Sequence, residues 1–126
     1  MNFYHIEQKD STAKISTKEI TDWAKKLPKR DLETWTADFR KPNSFWQHVL
    51  TFQFVEDTPL AVEFKITECL WAKTFREAEA ADIGYAAICY GDVASAQAYN
   101  PKMKFTRTQT LMQGHTFCNH RYVLEA

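Results

Sequence analysis

The last third of the chain gathers a thiol, an imidazole, a carboxylate and a guanidinium within a short span: Cys89, Asp92, Arg107, Cys118 and His120. These groups can supply a nucleophile, a proton carrier and an anion anchor. Cys118 can attack as a thiolate where a neighbouring His or Arg lowers its pKa. His120, two residues further along, can act as general base and acid. Arg107 carries a planar fork suited to a carboxylate. Cys118, His120 and Asp92 are therefore the candidate catalytic residues, and Arg107, Cys89 and Tyr122 the candidate substrate contacts. Each also has a plainer role. Cys69 and Cys89 suit a core, because free cysteine is among the most buried residue types. His120 can be a hydrogen-bonded interior residue, Asp92 a cap, and Arg107 the partner of Asp92 or Glu68 in a structural ion pair.

Positioning these groups requires a sheet. Phe105, Arg107, Gln109 and Leu111 alternate with Thr106, Thr108, Thr110 and Met112, the period of a strand. Gly114-His115 fits a tight connection to a second strand from Cys118 to Tyr122. A two-residue loop sets Leu111 opposite Cys118, Gln109 opposite His120 and Arg107 opposite Tyr122, so that one face shows all the candidates together. A loop one residue longer breaks that register.

The remaining elements follow by pattern. Residues 1–15 are polar without a clear period and read as a lead-in. Ser16-Thr17-Lys18-Glu19 has capping-box spacing and predicts a helix to Leu27, stopped by Pro28. Leu32, Trp35 and Phe39 predict a second helix before Pro42. Trp46–Val55 and Leu60–Cys69 alternate as two strands around the turn residues Glu56-Asp57-Thr58-Pro59. Trp71, Phe75 and Ala78 return to helical spacing, and an alanine-rich stretch runs from Asp82 to near Tyr99, the whole reading as one helix or as two helices with a break near Ala81. Gly84 and Gly91 within it imply close packing or a bend. Cys89 and Asp92 share a helix face. The whole predicts one α+β domain over residues 16–126, with helices in 16–42, a sheet-and-helix part in 45–126, and a four-stranded antiparallel sheet of two hairpins carrying its helices mainly on one face.

Composition narrows the function classes. Lys and Arg number 16 and so do Asp and Glu, which provides no field for nucleic acid or an anionic membrane. The apolar runs are too short to span a bilayer and the start is unlike a signal peptide. Three cysteines without C-x-x-C spacing point to reduced thiols and a cytoplasmic setting. No motif calls for a cofactor, and homodimerisation is the base-rate expectation.

The succession of Cys69 at a strand end, a helix with Cys89 and Asp92, Asn100-Pro101, Phe105-Thr106-Arg107-Thr108-Gln109-Thr110-Leu111, a Gly turn and Cys118-Asn119-His120-Arg121-Tyr122 resembles the L-2-amino-thiazoline-4-carboxylic acid hydrolase family. The resemblance runs from about Phe45 to the C-terminus. It implies hydrolytic opening of a small sulfur heterocycle to a carbamoyl-cysteine, in a bacterial route to cysteine. Such a reaction needs attack on the ring carbon between nitrogen and sulfur, a proton for the leaving atom and a cation for the substrate carboxylate. Cys118, His120 and Arg107 match those needs, and Asp92 can orient His120 or bind the amidine-like nitrogen. The start of this chain looks shorter than the family's helical N-terminal region, so a pocket roofed by those helices implies either a partner subunit or a loss of activity. Three other readings stand beside this one, the first a purely structural subunit of a larger assembly, suggested by the short N-terminal part. The aromatic content suits a non-catalytic small-molecule binding or sensing module, and Cys69, Cys89, Cys118 and His120 have the elements of a zinc site without its usual ligand spacing.

Overall fold

The computed structural model describes residues 3–125, with side chains from Gln8 onward. Helix α1 (Phe3–Ala24) leads to α2 (Leu32–Arg40), the short α3 (Phe45–Val49), strand β1 (Leu50–Asp57), β2 (Ala61–Cys69), α4 (Leu70–Glu77), the single turn α5 (Ala81–Gly84), α6 (Gly91–Tyr99), β3 (Met103–Thr106) and β4 (Cys118–Leu124). A π-helical turn, Tyr85–Cys89, joins α5 to α6, and a 3-10 turn, Leu111–Gln113, interrupts the loop between β3 and β4. The sheet is antiparallel in the order β1-β2-β4-β3, so the two expected hairpins join through their inner strands.

The burial alternation in β2 expresses its sequence period. Val62, Phe64 and Ile66 are buried, and the helices cover that face through Ala24, Leu32, Ala96 and Tyr99. Cys118, His120 and Tyr122 stand opposite Ile66, Phe64 and Val62 on the same face. Asp31 caps α2 by accepting from the Thr34 amide at 2.9 Å. Leu60, the first residue of the expected strand, lies in the turn and is 52% exposed.

Four expectations need correction. The lead-in of residues 1–15 is helical from Phe3 onward, residues 1 and 2 lying outside the described part, and Ser16 sits mid-helix instead of capping a start. The reason is tertiary. Thr12 and Ser16 of α1 meet Gly91 of α6 so closely that a Cβ there would collide with them. The face of α1 that meets α6 there is made of small polar residues and gives little hydrophobic period. The same helix ends at Ala24, short of Leu27. Trp46–Val49, expected as strand, belongs to α3, and β1 begins at Leu50.

The fourth correction concerns the second hairpin. Phe105, not Arg107, pairs with Tyr122, and β3 ends at Thr106. Residues 107–117 form a folded loop because side chains capture its amides. Asn119 Oδ1 accepts from Thr108 N at 2.9 Å and Gln109 N at 2.8 Å, and His115 Nδ1 accepts from Thr110 N at 2.9 Å. Those local bonds replace the ladder that the alternation of residues 107–112 would have made. Gly114, at φ 97°, closes the 3-10 turn in a conformation costly for other residues.

Candidate active site

Asp92 lies in the first turn of α6, directly after the π-helical turn. Arg107, released from the sheet one residue after β3, reaches it: Nη1 lies 2.6 Å from Asp92 Oδ2, and both Nη atoms contact the Cys89 carbonyl at 3.3–3.4 Å. Arg107 thus bridges the Cys89 carbonyl and the Asp92 carboxylate across the junction of the π-helical turn and α6. That turn is closed by the Tyr90 amide donating to the Tyr85 carbonyl at 2.9 Å. The guanidinium also lies 5.7 Å from the Tyr85 ring centroid and 5.4 Å from that of Phe105, within cation–π range.

On the sheet side, the Cys118 sulfur accepts from the Leu111 amide at 3.2 Å. His120 packs edge-on against Phe105 at 5.3 Å, and Phe105 lies 5.0 Å from the Tyr122 ring. Cys69 ends β2 next to Leu70, and its thiol is electrostatically felt by both Cys89 and Cys118. The slip of two residues between β3 and β4 keeps the parity of the faces, so Cys118, His120 and Tyr122 still look toward the Arg107–Asp92 pair. Gln109 is the exception, being drawn into the loop by Asn119.

Electrostatics separate these groups. Burial pushes the Cys89 thiol up to about 12, with Asp92 adding to the effect and Arg107 opposing it. Burial also raises Cys118, against the pull of the Leu111 amide. His120 is driven down to about 3, first by burial and then by Arg107. Burial raises the Asp92 carboxyl to about 6 in spite of Arg107, although 34% of its side-chain surface stays exposed. Burial works against the Arg107 charge, and Asp92, Cys89 and Tyr85 more than restore it. The resting site therefore holds neutral thiols, a neutral imidazole and a fixed cation, with one carboxyl poised to exchange a proton near neutrality.

Three expected roles change accordingly. No thiolate is prepared at Cys118, because burial outweighs every positive neighbour. Asp92 does not orient His120, since its carboxylate is taken by Arg107. The Arg107 side chain is only 7% exposed, so its fork is already occupied and the ion-pair role read from the sequence is the one it plays. The zinc alternative also lacks its geometry: among the described residues no group of three or more His, Cys, Asp or Glu side chains could hold a metal ion. Tyr85 and the Leu111 amide join the site without a sequence signal, because the first depends on the π-turn and the second on a backbone group.

The fold and the site define an α+β domain with three thiols near the part-buried Arg107–Asp92 ion pair. Residues 8–122 match the profile of the L-2-amino-thiazoline-4-carboxylic acid hydrolase family, and the chain belongs to that family. The match reaches well before Phe45, into α1. No curated protein and no solved structure matches the chain. Among the described residues no helix is long and apolar enough to cross a membrane.

Proposed function

We propose that this chain is a hydrolase that opens a small cyclic substrate of the 2-amino-thiazoline-4-carboxylate type to a carbamoyl-cysteine, with Cys118, His120 and Asp92 as its catalytic groups. The observation that supports this most is the convergence of Cys89, Asp92, Arg107, Cys118, His120 and Tyr122 from the π-turn, α6, the β3–β4 loop and β4 around one part-buried pair. In the reaction the Cys118 sulfur adds to the ring carbon between nitrogen and sulfur and gives up its proton. The ring C–S bond breaks and its sulfur is protonated. Water then displaces Cys118 from that carbon, leaving the carbamoyl product and the free thiol. Asp92, held near its titration point by burial and Arg107, is the group suited to carry the proton. The family name supports the hydrolase class.

The test is incubation of the protein with L-2-amino-thiazoline-4-carboxylate, following the gain of one water by mass spectrometry, beside the Cys118→Ala and Cys118→Ser variants. Turnover by the parent and none by the folded variants is expected; unchanged turnover by the variants removes Cys118 as nucleophile.

The high pKa of both site thiols and the low basicity of His120 favour a second reading, a binding or sensing module on the same fold. Under it, Cys118→Ala and His120→Ala keep ligand affinity and there is no turnover to lose.

A further inference from the structure

Arg107 is consumed by Asp92 and the Cys89 carbonyl, which leaves the carboxylate of a small ligand without its expected anchor. Other cations stand nearby. A cleft of about 670 Å³ opens between the β1–β2 sheet end and α4, with Cys69, Lys73, Arg76, Glu68, Glu77 and Leu111 in its lining. It abuts the buried cluster directly: Cys69 belongs to both, and Leu111, whose amide donates to the Cys118 sulfur, forms the wall between them. Arg76 also reaches the Leu111 carbonyl, at 3.4 Å, and its side chain lines a second cleft on the far side. Glu68 is held toward β1 by the Thr51 hydroxyl at 3.0 Å.

We propose that this cleft is a binding site for a small zwitterion, an amino-acid-like molecule with a carboxylate and a cationic amidine or ammonium group, held by Arg76 and Lys73 at the carboxylate end and by Glu68 and Glu77 at the cationic end. Charges of both signs in one cleft suit a ligand that carries both. The Leu111 side of the cleft is apolar and accommodates a small ring, and Cys69 offers a soft neighbour to a ring sulfur. A ligand seated there lies beside Cys69 and Leu111, which line the cleft. The choice of ligand rests on the function proposed above, whereas the site itself is tested by binding alone.

The experiment measures, on the parent protein and on Arg76→Gln, the affinity for L-2-amino-thiazoline-4-carboxylate and for the carboxylate-free 2-aminothiazoline by calorimetry. It also follows the rate of Cys69 alkylation by iodoacetamide, by peptide mass, with and without each compound. Arg76 is exposed, so the variant folds; its thermal transition is recorded as a control. Expected are binding of the carboxylate compound, protection of Cys69, and about tenfold weaker binding in Arg76→Gln, the usual scale for one charged hydrogen-bond partner. Binding with Cys69 protection but no turnover supports the cleft and removes the hydrolase reading. Equal affinity in Arg76→Gln with Cys69 unprotected overturns the cleft even if turnover occurs, as does absence of binding by the parent.

Discussion

At the scale of single residues, His120 and Asp92 have opposite relations to pH. The folded His120 titrates at about 3 against an ordinary 6.5, so the unfolded chain binds its proton first. Its contribution to stability is complete above about 6.5 and is lost as pH falls toward 3. The folded Asp92 titrates at about 6 against an ordinary 3.8, so the folded chain binds that proton first and its contribution grows as pH falls through about 6. His120→Gln should therefore shrink the loss of thermal stability between pH 7 and pH 4.5, and Asp92→Asn should enlarge it. Melting curves of both variants and the parent at the two pH values check this; changes of the same sign would defeat the assignment. For catalysis, a carboxylate accepting the proton predicts kcat/KM rising as pH climbs through about 6, read from a pH–rate profile. A continued rise through the ordinary thiol range would instead place the critical ionisation on Cys118.

At the scale of elements, the two glycines that interrupt the alanine-rich stretch turn out to be contact points, as their high helix cost suggested. A Cβ on Gly84 would meet Phe75 Cγ at 2.6 Å and Met112 Sδ at 2.7 Å. Ala at that position gains about 1 kcal/mol of helix propensity but overpacks a site where α4, α5 and the 3-10 turn meet, at about 1–3 kcal/mol. Gly84→Ala should be destabilising in urea unfolding, and Met112→Ala, costly by itself because that side chain is fully buried, should cost less in the Gly84→Ala background than in the parent, since it removes one of the colliding atoms. The π-turn is the second decisive element. It joins α5 to α6 and orders Cys89 and Asp92 so that one guanidinium meets a carbonyl from the first and a carboxylate from the second.

At the scale of the whole molecule, an aromatic seam ties the helical layer to the sheet. Trp35 lies 4.6 Å from the Tyr99 ring and 5.8 Å from that of Tyr122, and Trp23 stacks on Tyr99 at 5.7 Å. The Tyr99 hydroxyl donates to the Asp31 carbonyl at 2.7 Å, fixing α6 to the start of α2. Tyr99→Phe should lose about 1–2 kcal/mol in denaturant unfolding, since the ring packing survives and only the buried hydrogen bond is removed. Much of this architecture was legible in the residues themselves. Strict alternation over Val62, Phe64 and Ile66, helical spacing over Leu32, Trp35 and Phe39, and the thiol and imidazole at i and i+2 in β4 depend on backbone period alone, and period is a local property of the chain. So were the α+β class and the membership of Cys118, His120 and Tyr122 in one face. The tertiary structure alone decided the rest. Residues 107–112 alternate like a strand yet form a loop, because Asn119 and His115, distant by several residues, capture their amides. Residues 3–15 lack a clear apolar period yet are helical, and α1 meets α6 where Thr12 and Ser16 pack on Gly91. Arg107 is spent on Asp92, and the thiols are protonated, because burial is set by the whole fold and no local pattern of residues encodes how much water a side chain will lose.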